Sequence, residues 1–247
     1  MKLQYVSDIH LEHRTFDKGT VPLIQPVSDN AYLALCGDIG NPFLPNYEEF
    51  LSIHAKLYEK IIIIAGNHEY FHHTLQETHD QIRILIKKYQ NITYLNQESI
   101  IIGQTKFLGC TLWSDVSNIR EEAQSFMNDY KKIFYNSNQL LEPENTIELH
   151  NQTKEWLKRE IDHEGDVIVL THHPATFGML PMLDMYSPCY GSNCEDLIKK
   201  PVKYWISGHT HACLTHVVDD VTCLSNCMGY PGRESPDFNT SNYVIFE

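Results

Sequence analysis

The sequence predicts an α/β fold, and two observations carry that expectation. Short, continuous runs of β-branched and other apolar residues alternate with longer stretches of helical periodicity, and most of these runs end in Asp, Asn, His or Gly. Continuous apolar runs suit strands covered on both faces. Polar residues at the carboxyl ends of strands are where open α/β sheets assemble their sites.

The predicted strands are Leu3–Val6, Tyr32–Leu35, Ile61–Ile64, Lys106–Leu108, Val167–Leu170 and Tyr204–Ile206. Between them, residues 47 to 58 place Phe50, Leu51, His54 and Leu57 on one helical stripe. Residues 78 to 89 do the same with Ile82, Leu85, Ile86 and Tyr89, and residues 147 to 161 with Trp156, Leu157 and Ile161. Near the end, Leu214–Val218, Val221–Ser225 and Tyr243–Phe246 read as strands of a meander. Residues 114 to 145 and 174 to 193 read as irregular, the usual character of binding loops and covers. No repeat, low-complexity tract or linker divides the chain, so residues 1–247 are expected to form one domain.

Composition narrows the function. With 42% hydrophobic and 11% aromatic residues, the 247-residue chain is globular rather than disordered. Lys and Arg number 19 against 32 Asp and Glu, a formal charge of −13. Such a surface repels phosphate backbones, so a nucleic-acid partner is not favoured, and any phosphate-bearing substrate needs positive charge from another source. Fourteen His point to metal. Seven Cys include no C-x-x-C pair, the start at Met1-Lys2-Leu3-Gln4 offers no secretory signal, and the longest apolar run, Ile61–Ala65, is far too short to span a membrane. These features predict a soluble cytoplasmic protein with reduced thiols; oligomeric state is not legible.

The chemistry lies at the strand ends. Strand one runs into Asp8-Ile9-His10, strand two into Gly37-Asp38, and the isoleucine strand into Gly66-Asn67-His68-Glu69. The later strands run into Thr171-His172-His173 and Gly208-His209-Thr210-His211. A lone Asp-x-His or Gly-Asp is commonplace; five separate strands ending in His and carboxylate ligand types point to a metal site.

This set of blocks resembles the calcineurin-like metallophosphoesterase superfamily, over nearly the whole chain. The resemblance implies a metallophosphoesterase-type four-layer sandwich, two mixed β-sheets flanked by helices, with a two-metal centre at one edge. Carried over position by position, it implies Asp8, His10 and His211 on the first ion, and Asn67, His172 and His209 on the second. Asp38 would bridge both. His172 is preferred to His173 on the family pattern, although the residues themselves leave that choice open. Two divalent ions (Mn, Fe, Zn, Co or Ni, with Mn the first choice in vitro) would turn water into the attacking base and clamp the phosphate oxygens. His68 would be the general acid at the leaving group. The implied substrate is a small phosphodiester or phosphomonoester.

Three alternatives accompany this reading. His68-Glu69-Tyr70-Phe71-His72 fits the H-E-x-x-H zinc-protease pattern, but it follows a strand and turn where that pattern requires a helix. A metal-binding regulatory module without turnover would share the same ligands. A protein phosphatase of this superfamily would carry Gly-Asp-x-x-Asp-Arg-Gly, whereas Asn41 and Pro42 stand at its second Asp and its Arg. That departure leaves the partner of His68 open, with Asn41 one candidate. Lesser candidates are His13 and Arg14 for phosphate, Trp113 with Asp115 as a pocket wall, and Phe177, Met179, Met182, Met185 and Tyr186 as an apolar cover over the leaving group. His72 and His73 are read as neighbours of the centre or as surface, and His54, His150 and Cys36 as structural.

Overall fold

The computed structural model describes residues 1–14 and 21–247. Along the chain run β1 (Lys2–Val6), β2 (Tyr32–Cys36), α1 (Pro45–His54), β3 (Lys60–Ile64), α2 (Leu75–Ile86), β4 (Ile92–Tyr94), β5 (Glu98–Ile102) and β6 (Thr105–Cys110). Next come α3 (Arg120–Phe126), α4 (Asp129–Lys132), the small hairpin β7 (Phe134–Asn136) and β8 (Gln139–Leu140), and α5 (Pro143–Glu160). The chain closes with β9 (Val167–Thr171), α6 (Ser187–Tyr190), β10 (Val202–Ser207), β11 (Thr215–Val218), β12 (Val221–Ser225) and β13 (Tyr243–Ile245).

Two mixed sheets result. The first has the order β13-β1-β2-β3-β4, parallel except for β13. The second has the order β11-β12-β10-β9-β6-β5, parallel at its centre with antiparallel edges β11 and β5. The isoleucine run explains how they stack. Because side chains alternate along a strand, Ile62 and Ile64 face the middle layer with Leu3, Phe107, Ile168, Leu170 and Ile206. Ile61 and Ile63 face outward against Phe50 and Leu51 of α1 and Ile82 and Leu85 of α2. On the far side, Val167, Val169 and Trp205 pack against Leu157 of α5 and Ile161 beyond its end. Helix, sheet, sheet and helix make the four layers expected.

Several boundaries differ from expectation, each for a local reason. α2 begins three residues earlier than the apolar stripe, because Thr74 and Glu77 form a reciprocal capping box. α5 likewise begins at Pro143, with Glu142 and Asn145 capping each other. Both starts are set by polar caps that apolar periodicity does not register. α1 stops at His54, so Leu57 lies beyond it and is 38% exposed rather than on the buried stripe. Residues 114 to 145 are not irregular throughout but contain α3, α4 and the β7–β8 hairpin. The expected meander is a two-stranded hairpin only: β11 pairs with β12, while β13 joins β1 in the other sheet and places Val244 and Phe246 in the middle layer. The short β4 and the edge strand β5 lie outside the predicted set, although β5 carries the run Ile100-Ile101-Ile102; at the sheet edge Ile101 is 63% exposed.

Candidate metal centre and active site

The carboxyl ends of β1, β2 and β3 in one sheet meet those of β9 and β10 in the other, and their polar residues converge. Asp8, His10 and His211 form one group and Asp38, His172 and His209 a second, each with donor atoms mutually within 4.8 Å. Asp38 lies between them: its Oδ2 is 3.9 Å from His10 Nε2 and 3.4 Å from His172 Nε2. His10 Nε2 faces His211 Nε2 at 2.9 Å, and His172 Nε2 lies 3.2 Å from His209 Nδ1 and 3.0 Å from Asn67 Oδ1. All seven residues singled out by sequence as metal ligands are thus brought together. His173 is not among them. Its Nδ1 turns to the Thr111 carbonyl at 3.3 Å, its ring packs against that of His209, and burial pushes its pKa well below the usual range.

The backbone is bent to achieve this. Asp8, His10, Asp38, His209 and His211 all have positive φ, between 51° and 69°. Non-glycine residues avoid this left-handed region, and each such residue costs about 1–3 kcal/mol. Their concentration here is a mark of a functional site. Gly66 and Gly208 permit the close approach: a Cβ on Gly66 would meet the backbone N of Asp38 at 2.6 Å, and one on Gly208 would meet Asp8 Oδ2 at 2.8 Å. Glu69 fixes the turns from below. Its buried carboxylate accepts from the backbone N–H groups of Asp38, Ile39, Gly40 and Gly66 at 2.7–3.2 Å.

The donor set fits divalent cations. Imidazole nitrogens, carboxylates and an amide oxygen are the mixed N/O ligands that such ions take. Nε2 of His209 is buried with no hydrogen-bond partner among the described residues. Burial raises the carboxyls of Asp8 and Asp38, yet the facing His172, with His211 at Asp8 and His68 at Asp38, overcomes it: Asp8 stays ionised below the ordinary range and Asp38 far below it. The buried cage therefore draws positive charge to itself.

The chain matches the calcineurin-like phosphoesterase family over residues 1–213. It belongs to that family. An uncharacterised protein of Acanthamoeba polyphaga mimivirus is 28% identical to this phosphoesterase, over 98% of this chain and 95% of that one. The fold is shared with phosphopantetheinyl hydrolase from Mycobacterium tuberculosis, with a TM-score of 0.69 at 16% identity, covering 100% of this chain and 96% of that one. A putative 5'-nucleotidase from Staphylococcus aureus, in complex with alpha-ketoglutarate, matches at a TM-score of 0.51 and 16% identity, over 91% of this chain and 48% of that one. The phosphoesterase is accordingly a metal-binding hydrolase of phosphoester bonds, built on two mixed sheets flanked by helices.

Around the cage lie residues that the motifs did not reveal. His68 Nδ1 contacts Glu12 Oε1 at 2.8 Å, and its Nε2 contacts the Tyr230 hydroxyl at 3.1 Å. Burial alone would lower the pKa of His68, but Asp38 and Glu12 raise it to about 9. Glu12 in turn is ionised, its pKa held at about 2 against burial by His10 and His68. Asn41, the candidate from sequence, is used elsewhere: its Oδ1 accepts from the Phe43 N–H at 2.9 Å within its own turn. Asn67 Nδ2 donates to Asp129 Oδ1 at 2.8 Å, which leaves the amide oxygen facing the cage. Burial lifts the Asp129 carboxyl to about 6.

The lesser candidates divide. Arg14 is engaged with backbone: it donates to the carbonyls of Ile9 and Gly229 at 2.7 and 2.9 Å and ties down the loop carrying Tyr230. His13 is exposed, 3.5 Å from Glu12. Trp113 is buried behind the site between Tyr70 and His173. His72 is exposed and outside the metal-ligating groups, and Glu69 is engaged with backbone, so no H-E-x-x-H helix forms. His73 stacks on Phe43. His54 and His150 are buried and hydrogen-bonded to backbone, and Cys36 packs in the middle layer, as structural residues should. Met179 belongs to the core rather than to a cover.

A cavity of about 460 Å³ opens over the cage, lined by Asp38, Asn67, His68, His209, His211 and Tyr230 and walled by Phe71, Phe126 and Tyr190. No Lys or Arg lines it among the described residues.

Proposed function

We propose that this phosphoesterase is a dinuclear enzyme acting on small phosphodiesters or phosphomonoesters. In this reading Asp8, His10 and His211 hold one divalent ion, Asn67, His172 and His209 hold the other, and Asp38 belongs to both. The position of Asp38 between the two groups is the observation that carries the proposal. Divalent cations bound there would acidify water to supply a base at neutral pH, and would supply the positive charge that a phosphate group needs. The need is real, since the chain has a formal charge of −13 and the cavity walls carry no cationic Lys or Arg among the described residues.

The remaining chemistry falls to the chain's own side chains. His68 faces the cavity, and Glu12 fixes its Nδ1–H so that Nε2 is the atom presented. A protonated imidazole there can deliver its proton to the departing alkoxide oxygen, the general-acid role. Tyr230, hydrogen-bonded to the same Nε2 in the free site, would yield that nitrogen to the substrate and turn its hydroxyl to a phosphate oxygen. Asp129 holds the Asn67 amide so that a neutral oxygen, not a third carboxylate, faces the second ion. Phe71, Phe126 and Tyr190 narrow the water around the phosphorus.

We read residues 1–247 as one catalytic unit, since β13 returns to pair with β1. Manganese is the ion for a first assay, the ligand set admitting Fe, Zn, Co or Ni as well. A cytoplasmic setting is supported by seven unpaired cysteines, and no helix among the described residues is long and apolar enough to cross a membrane.

The test uses alkyl phosphodiesters and phosphomonoesters with added Mn²⁺, followed by release of the alcohol. Asp38→Asn and His68→Ala should each lose at least about 100-fold in kcat, in line with the usual worth of a positioned acid or base, while far-UV circular dichroism stays unchanged. Near-normal turnover by both variants would overturn the assignment.

A further inference from the structure

A second cavity adjoins the first. Its volume is about 290 Å³, near the lower end of ligand pockets. Phe126, Tyr190 and Thr210 line both cavities, so the two lie on either side of one shared wall. Beyond it, the second is closed by Leu180, Pro181, Met182 and Tyr186. The rings of Phe126 and Tyr186 stack at 4.4 Å with 19° between planes, and Tyr190 stands 5.5 Å from the His209 ring. The apolar wall thus reaches to within one ring of the cage.

The charge of this cavity is as telling as its shape. Among the described residues its lining includes no Lys, Arg or His, and its single ionisable carboxylate is Asp184, whose Oδ1 accepts from the Tyr186 N–H at 2.8 Å. An anionic group entering here would lose its hydration and meet a carboxylate without any cation in return. At the junction, the buried Thr210 hydroxyl has no protein partner among the described residues. Met182, which lines the cavity, is 68% exposed, and Leu183 and Met185 close to it in sequence are 68% and 57% exposed. Apolar side chains held in water beside a cavity are a feature of ligand sites.

We propose that this second cavity is the subsite for the leaving group of the substrate, and that this group is an uncharged alcohol with a flat, apolar body. The inference rests on the phosphoester-hydrolase reading of the neighbouring cage. Phosphate lies over the cage, the bridging ester oxygen lies near Tyr190 and Thr210, and the alcohol's carbon skeleton packs along the stacked Phe126 and Tyr186 rings toward Met182. Nucleoside polyphosphates and nucleic acids, whose leaving groups carry further negative charge, are selected against. An apolar body buried there adds affinity through the area it removes from water.

The experiment compares phenyl, 2-naphthyl and 3-carboxyphenyl phosphates, and the corresponding methyl diesters, under Mn²⁺. The expected order of kcat/KM is naphthyl above phenyl by tenfold or more, and carboxyphenyl below phenyl although the two leaving groups are about equally acidic. Met182→Glu, a change at an exposed side chain that folding tolerates, should collapse the naphthyl-to-phenyl ratio at least fivefold, as should Phe126→Ala. Binding of free 2-naphthol, followed by its own fluorescence, should weaken in the same two variants. Hydrolysis that depends on Asp38 but shows no preference among the esters, with naphthol binding absent or unchanged by the variants, overturns the subsite and leaves the hydrolase standing. Failure to hydrolyse any of the esters overturns both.

Discussion

At the scale of single residues, the informative contact is the one between Glu12 and His68. A general acid works when its proton is on the correct nitrogen and pointed at the leaving oxygen, and in the role proposed for His68 Glu12, 2.8 Å from Nδ1, would set both. Glu12→Gln keeps the size but loses the charge. We expect kcat to fall roughly 10- to 100-fold for alkyl esters, a part of the range that a general acid supplies, and much less for nitrophenyl esters, whose leaving group needs no proton. In a His68→Ala background the same change should add almost nothing, because the carboxylate acts through the imidazole. Equal losses for both ester classes, or full additivity, would show that Glu12 merely supports the fold. Glu12 was in plain sight two residues after His10, yet nothing in a single carboxylate marks it as a partner of a residue on another strand. The Leu11–His13 turn of 3₁₀ helix, which aims it, is a tertiary outcome.

At the scale of elements, the strand ends do the positioning and the helices hold the strands. α2 is tied to β4 through His79, whose Nδ1 meets the Tyr94 hydroxyl at 2.7 Å. Burial, with a smaller push from Arg83, lowers the pKa of His79 to about 4. The folded state therefore prefers the neutral ring, while the unfolded chain takes up a proton near the ordinary value of about 6.5. Stability from this group is complete above about pH 6.5 and is lost as pH falls from there through about 4, by up to roughly 3 kcal/mol. Urea denaturation from pH 7 to 4 should show that loss, and His79→Gln should flatten it; a His79→Gln profile as steep as the parent's would refute the assignment. Strands of continuous apolar residues were readable from sequence because both their faces are buried, as the alternating partners of Ile61–Ile64 show. Helix starts were not, because caps such as Thr74 with Glu77 are polar.

At the scale of the whole molecule, the cage joins the two sheets. Asp8, His10, Asp38 and Asn67 follow strands of the first sheet, and His172, His209 and His211 follow strands of the second. Ions that bind the folded state alone stabilise it by about 2.7 kcal/mol at one hundred times their Kd. For a chain of this size that is a rise in Tm of roughly 5–10 °C. Thermal melts with and without Mn²⁺ after chelator treatment should show such a rise, and Asp38→Asn should abolish it. An unchanged Tm in the parent protein would argue against a cage that spans the sheets.

The sequence by itself determined the class of fold, the seven converging residues and His68, because each ligand type sits directly after a strand and strand ends can be read locally. Tertiary structure alone decided who serves them. Glu12 reaches His68 across 56 residues, Asp129 reaches Asn67 across 62 and Tyr230 reaches His68 across 162. The apolar cavity is assembled from residues 126, 180–190 and 210, in stretches with no shared periodicity. Residue type and local spacing encode what a side chain can do, whereas its neighbours are set by how the two sheets stack and where their loops return.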